Sequence, residues 1–267
     1  MSLLEAILLG MIQGLTEFLP VSSSGHLELG KALFDYDADA NSSMLFSIVV
    51  HAATALSTIV VYRKDILELL QGLFKFKWNT ETKYVALIAL SMIPVLVVGL
   101  AFKDEIEVLF GGQILLVGCM LLVTAALLWF THRAKHREGE VTGPRAIIMG
   151  VAQAVAILPG ISRSGSTIAT ALLLGVSREQ AARFSFLMVL PPIAGATLLE
   201  LKEYSEAPAV AGGSDMTMLV AAFLAAFVSG LIACSWMVKL VKRSKLSWFA
   251  VYCALAGATA IAVGLTS

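Results

Sequence analysis

An apolar segment that leads into a polar turn occurs twice in this chain, and this repeat constrains the fold more than any other feature. Residues 6–13 reappear with conservative changes as residues 146–153, so each copy ends on a glutamine, Gln13 or Gln153. Nine residues beyond each glutamine a serine begins a Ser/Gly turn, at residues 22–25 and again at residues 162–165. The chain therefore consists of two related halves, about 1–131 and 146–265, which should form similar structures.

The two copies differ at positions that carry reactive groups. The differences are Ser23 against Arg163, His26 against Ser166, and Glu17 against Ile157. One half therefore supplies a carboxylate and an imidazole, while the other supplies a guanidinium. Because neither half holds the full set, the repeat predicts a single site at the interface between the halves.

The composition of the chain predicts a membrane protein. Hydrophobic residues make up 58% of it and charged residues only 14%, which excludes an ordinary soluble domain. The 19 basic and 19 acidic residues cancel, so no net field attracts nucleic acid. We expect residues 1–267 to form a single integral-membrane domain.

Six apolar stretches are long enough to span a bilayer whose hydrocarbon core is roughly 30 Å thick. They are about 44–62, 84–102, 114–131, 184–201, 216–238 and 246–265. Two further pairs of apolar segments are too short to span singly, 3–19 with 22–34 and 146–158 with 162–175. A proline and a Ser/Gly cluster interrupt each pair, which we interpret as a re-entrant helical hairpin. Irregular backbone at membrane depth is tolerated only where protein or a water-filled cavity satisfies it, so the hairpin tips should point inward.

Basic residues predict the orientation, because they concentrate in cytoplasmic loops. Most of them fall in alternate loops, namely Arg63, Lys64, Lys75, Lys77, Lys83, Arg133, Lys135, Arg137, Arg145, Arg178, Arg183, Lys239, Lys242, Arg243 and Lys245. Asp35, Asp37 and Asp39 fall on the opposite side. This pattern predicts an all-α polytopic membrane protein of two inverted-topology repeats, each a re-entrant hairpin followed by three transmembrane helices. Both termini are then expected on the outer side, and the two tips meet near the midplane.

The residues of the tips are typical of a phosphate site. Gln13 and Glu17 are four residues apart and share one helical face. Pro20 ends that helix, and the serines after it can cap the next helix, whose N-terminal N–H groups suit phosphate. In the second tip Arg163 adds a guanidinium fork that matches phosphate oxygens.

Structural roles compete with these functional ones. A charge at the bilayer centre costs about 2.5–3.5 kcal/mol on insertion scales, so Glu17 and Arg163 require a reason to lie there. One such reason is a structural ion pair that joins the hairpins. Serines in membrane helices are often caps or packing residues, and His26 could be a hydrogen-bonded core histidine. His51 either contacts the site or packs within its span.

The tips resemble the motifs of bacterial undecaprenyl-pyrophosphate phosphatases. The first tip, Gln13 and Glu17 followed by residues 18–26, is similar to that family's [E/Q]xxxE and serine-rich motif. Residues 159–167 are similar to its PGxSRSxxT motif, and the resemblance covers nearly the whole chain. It implies a hydrolase of the bacterial plasma membrane that converts undecaprenyl diphosphate to undecaprenyl phosphate and inorganic phosphate. Such an enzyme recycles the lipid carrier for peptidoglycan and other envelope glycans and confers bacitracin resistance.

The resemblance also implies roles for individual residues. The catalytic positions are Glu17, Ser23, His26 and Arg163, and the substrate-binding positions are Ser22, Ser24, Ser162, Ser164 and Thr167. A divalent cation, Mg²⁺ or Ca²⁺, is expected at Gln13 and Glu17. Where many members carry a glutamate this chain has Gln13, whose carbonyl still coordinates a hard cation but supplies no charge.

The expected partners are a prenyl-diphosphate lipid and the bilayer, with no nucleic acid and with a homodimer as the candidate assembly.

The nucleophile is Ser23, His26 or water. Ser23 activated by His26 is favoured, and Glu17 then orients the imidazole or binds the metal. A secondary transporter or flippase is the competing class, because inverted repeats with broken helices are typical of transporters. The two motifs and the cluster of Glu17, Ser23 and His26 favour hydrolysis, since anion binding alone requires no reactive groups. Lipid translocation alongside hydrolysis is compatible with this architecture.

Overall fold

The computed structural model describes residues 2–34, 40–109, 113–131, 138–206, 216–243 and 246–265. These residues form helices joined by turns, which confirms the all-α class. The helices are α1 (Leu3–Phe18), α2 (Ser23–Leu33), α3 (Ala40–Val61), α4 (Arg63–Leu73), α5 (Thr80–Ala101), α6 (Lys103–Leu109), α7 (Ile114–Phe130), α8 (Gly143–Val155), α9 (Arg163–Leu173), α10 (Arg178–Met188), α11 (Leu190–Glu206), α12 (Met216–Lys242) and α13 (Ser247–Gly264). The loop residues Asp35, Asp37, Asp39, Arg133, Lys135, Arg137 and Lys245 lie outside the described residues.

The two predicted pairs of short helices are present. The α1 helix begins with a capping box between Ser2 and Glu5 and ends two residues before Pro20, because the residue before a proline disfavours helical geometry. The α8 helix has a proline in its first turn and ends four residues before Pro159. With 16, 11, 13 and 11 residues, α1, α2, α8 and α9 are all shorter than a typical span of about 20 residues.

Within the described residues, five helical stretches have the length and composition to cross a membrane. They are Ser43–Val61, Thr80–Ala101, Arg178–Leu199, Met216–Lys242 and Ser247–Gly264. The remaining predicted stretch forms α7, which is an apolar helix of 17 residues. Large apolar side chains on these helices, such as Leu100, Leu198 and Trp248, are exposed by 68% or more, as expected for surfaces that face lipid.

Two details of the chain differ from the sequence prediction. The stretch predicted as one span at 184–201 begins earlier, at Arg178, and is divided between α10 and α11 at Val189. The division stands just before Pro191 and Pro192, which lack the N–H groups that would continue the helical ladder. In addition, two segments predicted only as parts of loops form the helices α4 and α6.

Each hairpin packs mainly against a span from the other half of the chain. The α1 helix lies along α12, whereas α8, its counterpart in the repeat, lies along α5, and α7 lies along α13. Glycines permit these contacts: Gly10 meets the backbone of Ala222, and its repeat counterpart Gly150 meets the backbone of Ser91. The halves therefore interlock, while their inverted orientation in the membrane stays a prediction.

Alanine at Gly10 or at Gly150 should destabilise the protein. A Cβ atom at either position would collide with a backbone carbonyl of the facing helix, and overpacking of this kind typically costs 1–3 kcal/mol. The measurement is thermal unfolding in detergent. Gly99→Ala is the matched control, because a Cβ atom there meets nothing within 4 Å. Wild-type unfolding temperatures for both variants would contradict the close approach of the helices.

Candidate active site

The two tips end in serine caps that are built alike. Ser22 Oγ accepts a hydrogen bond from the N–H of Gly25 (3.3 Å), and Ser162 Oγ accepts one from the N–H of Gly165 (3.1 Å). The caps differ in their backbone, since φ is +71° at Ser22 but −71° at Ser162. A non-glycine residue in such a sparsely populated conformation costs on the order of 1–3 kcal/mol. The surrounding contacts must therefore hold the first tip in place.

The tips touch each other directly. A Cβ atom on Gly25 would lie 3.2 Å from Gly160 Cα of the second tip, and one on Gly165 would lie 3.2 Å from Pro20 Cβ of the first. Ser164 Oγ also donates a hydrogen bond to the carbonyl of Leu19 across the junction (3.1 Å). These contacts place the N-terminal turns of α2 and α9 side by side, as the repeat predicts.

Glu17 lies at the centre of the junction and is buried. Its Oε1 accepts a hydrogen bond from Arg163 Nη2 of the other half at 2.5 Å, with both side chains at most 14% exposed. Its Oε2 accepts hydrogen bonds from Ser23 Oγ (2.6 Å) and Gln13 Nε2 (3.1 Å). The structure thus brings three of the four predicted catalytic residues, Glu17, Ser23 and Arg163, into direct contact, and Gln13 bonds to the same carboxylate.

The main-chain turn that carries Arg163 is supported from α10. Ser185 Oγ and Thr167 Oγ1 are 2.6 Å apart, and Thr167 Oγ1 donates to the Arg163 carbonyl (2.9 Å). Arg163 Nη1 makes a longer contact with the Ser185 carbonyl (3.5 Å). The Thr167 hydroxyl bonds within the protein and is buried, so its contact with a substrate stays a prediction.

His26 lies at the first tip but bonds away from Glu17. Its Nδ1 is 2.8 Å from the Ser22 carbonyl, which can only accept, so Nδ1 carries the proton. In the neutral ring Nε2 then accepts from the hydroxyl of Tyr252, 2.7 Å away, and the two rings stack. Within the described residues no hydrogen bond joins Ser23 to His26. The hydroxyl of Ser23 is bound to Glu17 instead.

The four predicted phosphate-binding serines form two matching pairs. The Oγ atoms of Ser22 and Ser24 are 3.3 Å apart in the first tip, and those of Ser162 and Ser164 are 3.3 Å apart in the second. Thr124 anchors the second pair, since its hydroxyl donates to the Gly160 carbonyl and accepts from the N–H of Ser162, both at 3.0 Å. Hydroxyls of both halves therefore line the same junction.

Three residues of the site were not predicted from the sequence: Thr124, Ser185 and Tyr252. Thr124 and Ser185 are single hydroxyls within apolar runs, and this pattern was a usable signal. Tyr252 carries no such signal, because its partner His26 is 226 residues away in the chain. His51, for which packing and site contact were both open, donates a hydrogen bond from Nδ1 to the Ser47 carbonyl of its own helix.

The two glutamines of the repeat differ in their surroundings. Gln13 Oε1 is buried and has no hydrogen-bond partner in the described part of the chain, although Nε2 bonds Glu17. An unbonded carbonyl oxygen beside a carboxylate fits a hard cation, whose other ligands would come from phosphate and water. At Gln153 neither amide atom has a partner among the described residues, and Ile157 stands where a carboxylate would be.

Comparison with known proteins gives consistent matches over nearly the whole chain. The family model of the bacitracin resistance protein BacA matches residues 6–259. The chain is 54% identical over 261 residues to an undecaprenyl-diphosphatase of Christiangramia forsetii, covering 98% of both chains. It is 54% identical over 260 residues to one of Bacteroides fragilis, covering 97% of both, and 40% identical over 263 residues to one of Carboxydothermus hydrogenoformans, covering 97% of this chain and 96% of that protein.

Removing one partner of the buried pair should destabilise the protein more than removing both. Glu17→Gln or Arg163→Met alone leaves a charge without its partner, a loss of about 3–5 kcal/mol, and the double variant should lose less than either single variant. The measurement is the free energy of unfolding from an SDS titration in mixed micelles.

The control for this cycle is the exposed pair Lys242–Glu179, whose charged atoms are 3.0 Å apart. Because water screens it, its coupling should be roughly 0–1 kcal/mol. Equal coupling in the two pairs would mean that the Glu17–Arg163 pair is not desolvated.

Proposed function

The chain belongs to the family of the bacitracin resistance protein BacA, and we propose that Glu17, Ser23 and Arg163 at the junction of the tips carry out its chemistry. The protein is an undecaprenyl-diphosphatase, which hydrolyses undecaprenyl diphosphate to undecaprenyl phosphate and inorganic phosphate. This reaction recycles the lipid carrier of peptidoglycan and envelope glycan synthesis, and it accounts for resistance to bacitracin.

One observation supports this assignment most strongly: a single buried carboxylate binds both a serine hydroxyl and a guanidinium. Ser23 Oγ and Arg163 Nη2 occupy the two oxygens of Glu17. A structural ion pair would need only the carboxylate and the guanidinium. A hydroxyl bound to a carboxylate is instead an arrangement that can activate a nucleophile, and an adjacent guanidinium suits the phosphate that it attacks.

Arg163 is proposed to exchange partners when the substrate enters. The diphosphate offers oxygens that match the guanidinium fork better than the single contact with Glu17 does. As Arg163 turns to phosphate, Glu17 loses its neutralising partner and becomes free to accept a proton from Ser23. Arg163 then stabilises the charge of the transferring phosphoryl group, the largest contribution to catalysis of this kind.

The serine caps and helix N-termini are proposed to bind the remaining phosphate oxygens. Ser22 and Ser24 belong to the N-terminus of α2, and Ser162 and Ser164 to that of α9. N–H groups at helix N-termini favour negative charge. Thr167 supports this group from within the protein through its bond to the Arg163 carbonyl.

The proposed reaction proceeds through Ser23. Its Oγ forms a bond with the terminal phosphorus while the bond from that phosphorus to the bridging oxygen breaks, which releases undecaprenyl phosphate. Glu17 Oε2, 2.6 Å from Ser23 Oγ, takes the proton. In the second step His26 Nε2 is proposed to exchange the Tyr252 hydroxyl for a water and to take its proton, while Nδ1 stays bound to the Ser22 carbonyl. The water oxygen bonds to phosphorus, the bond from phosphorus to Ser23 Oγ breaks, and Glu17 returns its proton to Ser23, which frees inorganic phosphate.

Gln13 and Glu17 would hold a divalent cation, Mg²⁺ or Ca²⁺, that neutralises phosphoryl oxygens when bound. The unbonded Oε1 of Gln13 supports this proposal. Because glutamine adds no charge, we expect weaker cation binding than a second carboxylate would give.

The protein is a multi-pass membrane protein that acts on a lipid diphosphate. We propose that the isoprenoid tail stays in lipid between the spans while the diphosphate reaches the tips. Residence in the bacterial plasma membrane, outer positions for both termini, and a homodimer stay predictions.

Phosphate release from undecaprenyl diphosphate by detergent-purified protein tests the assignment of the site. Arg163→Ala should lower the rate by roughly 10²–10³-fold, as for loss of a transition-state donor, while its thermal unfolding shows that the fold persists. The assay is run over a series of Mg²⁺ and Ca²⁺ concentrations and with a chelator. Thr259→Ala is the control, since this exposed hydroxyl bonds only to its own helix. Wild-type rates in Arg163→Ala would reject the role of the second tip.

The nucleophile is tested by trapping. Rapid acid quench during turnover, followed by peptide mass spectrometry, should detect phosphoserine at position 23 and none in Ser23→Ala. Loss of both the adduct and the turnover in that variant is expected. Normal turnover in Ser23→Ala would exclude Ser23 and leave His26 or water as the nucleophile.

A further inference from the structure

The α4 helix presents three different faces to its surroundings. One face packs on the protein through buried Leu69 and through Gly72, which lies against the side chain of Glu81. A second face is apolar and exposed and consists of Leu67, Leu70, Leu73 and Phe74. A third is polar and exposed and consists of Lys64, Glu68 and Gln71. A helix with separate protein, apolar and polar faces is typical of one that lies in the plane of a membrane interface.

The segment that follows α4 alternates aromatic and basic residues, and it is exposed. Residues 74–78 read Phe-Lys-Phe-Lys-Trp, and the three aromatic residues are 70%, 90% and 70% exposed. Phe76 has φ of +50°, a conformation that is unfavourable for a bulky side chain. The chain therefore holds an aromatic ring away from the protein in a strained turn, where it fills no space in the core.

The acidic side chains of this region pair within the protein, whereas its lysines form no ion pair with other described residues. The carboxylates of α4, Asp65 and Glu68, pair with Arg183 of α10 at 2.6 and 3.9 Å. No ion pair within the described part of the chain involves Lys64, Lys75 or Lys77. The exposed surface next to the aromatic residues is consequently basic.

The position of the segment between two spans of the chain places it at the membrane boundary. The α4 helix begins two residues after the span α3 ends at Val61, and the span α5 begins at Thr80. Residues 63–79 therefore connect two spans on one side of the membrane and lie at its boundary. Tryptophan and other aromatic residues are favoured at that level, and anionic headgroups attract lysines there.

We propose that α4 and residues 74–78 form an interfacial lipid-binding segment, in which Phe74, Phe76 and Trp78 enter the headgroup region and Lys75 and Lys77 bind anionic phospholipid. The lipids belong to the leaflet on that side of the membrane. This surface is separate from the phosphatase site and goes beyond the proposed function.

Fluorescence of Trp78 in lipid vesicles tests the proposal. A variant with Trp129, Trp236 and Trp248 replaced by phenylalanine leaves Trp78 as the sole tryptophan, which can be excited selectively; all three replaced side chains are at least 51% exposed. Phosphate release by this variant shows that it is folded. In vesicles of phosphatidylcholine and phosphatidylglycerol, lipids brominated near the headgroup should quench Trp78, and aqueous acrylamide should quench it weakly. Absence of quenching by the brominated lipids would overturn the proposal: strong acrylamide quenching would then mean that water covers the segment, and weak acrylamide quenching that a partner protein does.

Preference for anionic lipid is measured by placing the bromine label on one of the two lipids at a time. At equal composition, brominated phosphatidylglycerol should quench Trp78 more than brominated phosphatidylcholine, since a lysine near an anionic surface favours the lipid by about fivefold. Lys75→Gln with Lys77→Gln should abolish the difference. Lys239→Gln with Arg243→Gln, which removes two exposed charges from the end of α12, should leave it unchanged. Equal quenching by both labelled lipids in the unsubstituted segment would overturn the anionic part of the proposal.

Discussion

The two halves of the fold meet at one ion pair placed where charges are expensive. Glu17 and Arg163 come from different halves of the chain and meet at 2.5 Å, with both side chains largely buried. Neither charge could be left there alone, because an unpaired buried charge is strongly destabilising. The pair therefore constrains how the two tips meet, alongside the packing of α1 on α12 and of α8 on α5. Glycines such as Gly10 and Gly150 complete this arrangement, since only they allow the backbones to approach closely enough.

The same pair links stability to chemistry. A carboxylate that is held by Arg163, Ser23 and Gln13 is well oriented but has its charge compensated. In the proposed mechanism, a phosphate that draws Arg163 away from Glu17 replaces one anion by another, so the guanidinium is not left unpaired. In that mechanism the Glu17–Arg163 pair keeps the junction neutral before the anionic substrate binds, which is the behaviour expected of a preorganised electrostatic site.

The sequence predicted those parts of the fold that follow from local pattern. Prolines and serine caps located both pairs of short helices to within a few residues, and the repeat placed Glu17, Ser23 and Arg163 together. Features that depend on packing between distant segments were missed. Tyr252 lies beside His26 only because of how α13 packs, and the expectation that His26 would serve Ser23 did not anticipate that Glu17 would take the hydroxyl. The break between α10 and α11 was missed because it lies within a continuous run of apolar residues. The α4 helix was missed because its basic residues were interpreted as a loop.

Gln153 shows how unequal the two halves of the repeat are. It stands where Gln13 stands in the other half, yet both of its amide atoms are buried without a partner among the described residues, an arrangement that costs about 1–3 kcal/mol per group. In this half Ile157 and Ser166 stand where the first half has Glu17 and His26, so the second tip repeats the build of the first without its carboxylate or its imidazole. The internal symmetry of the backbone is therefore not a symmetry of the chemistry.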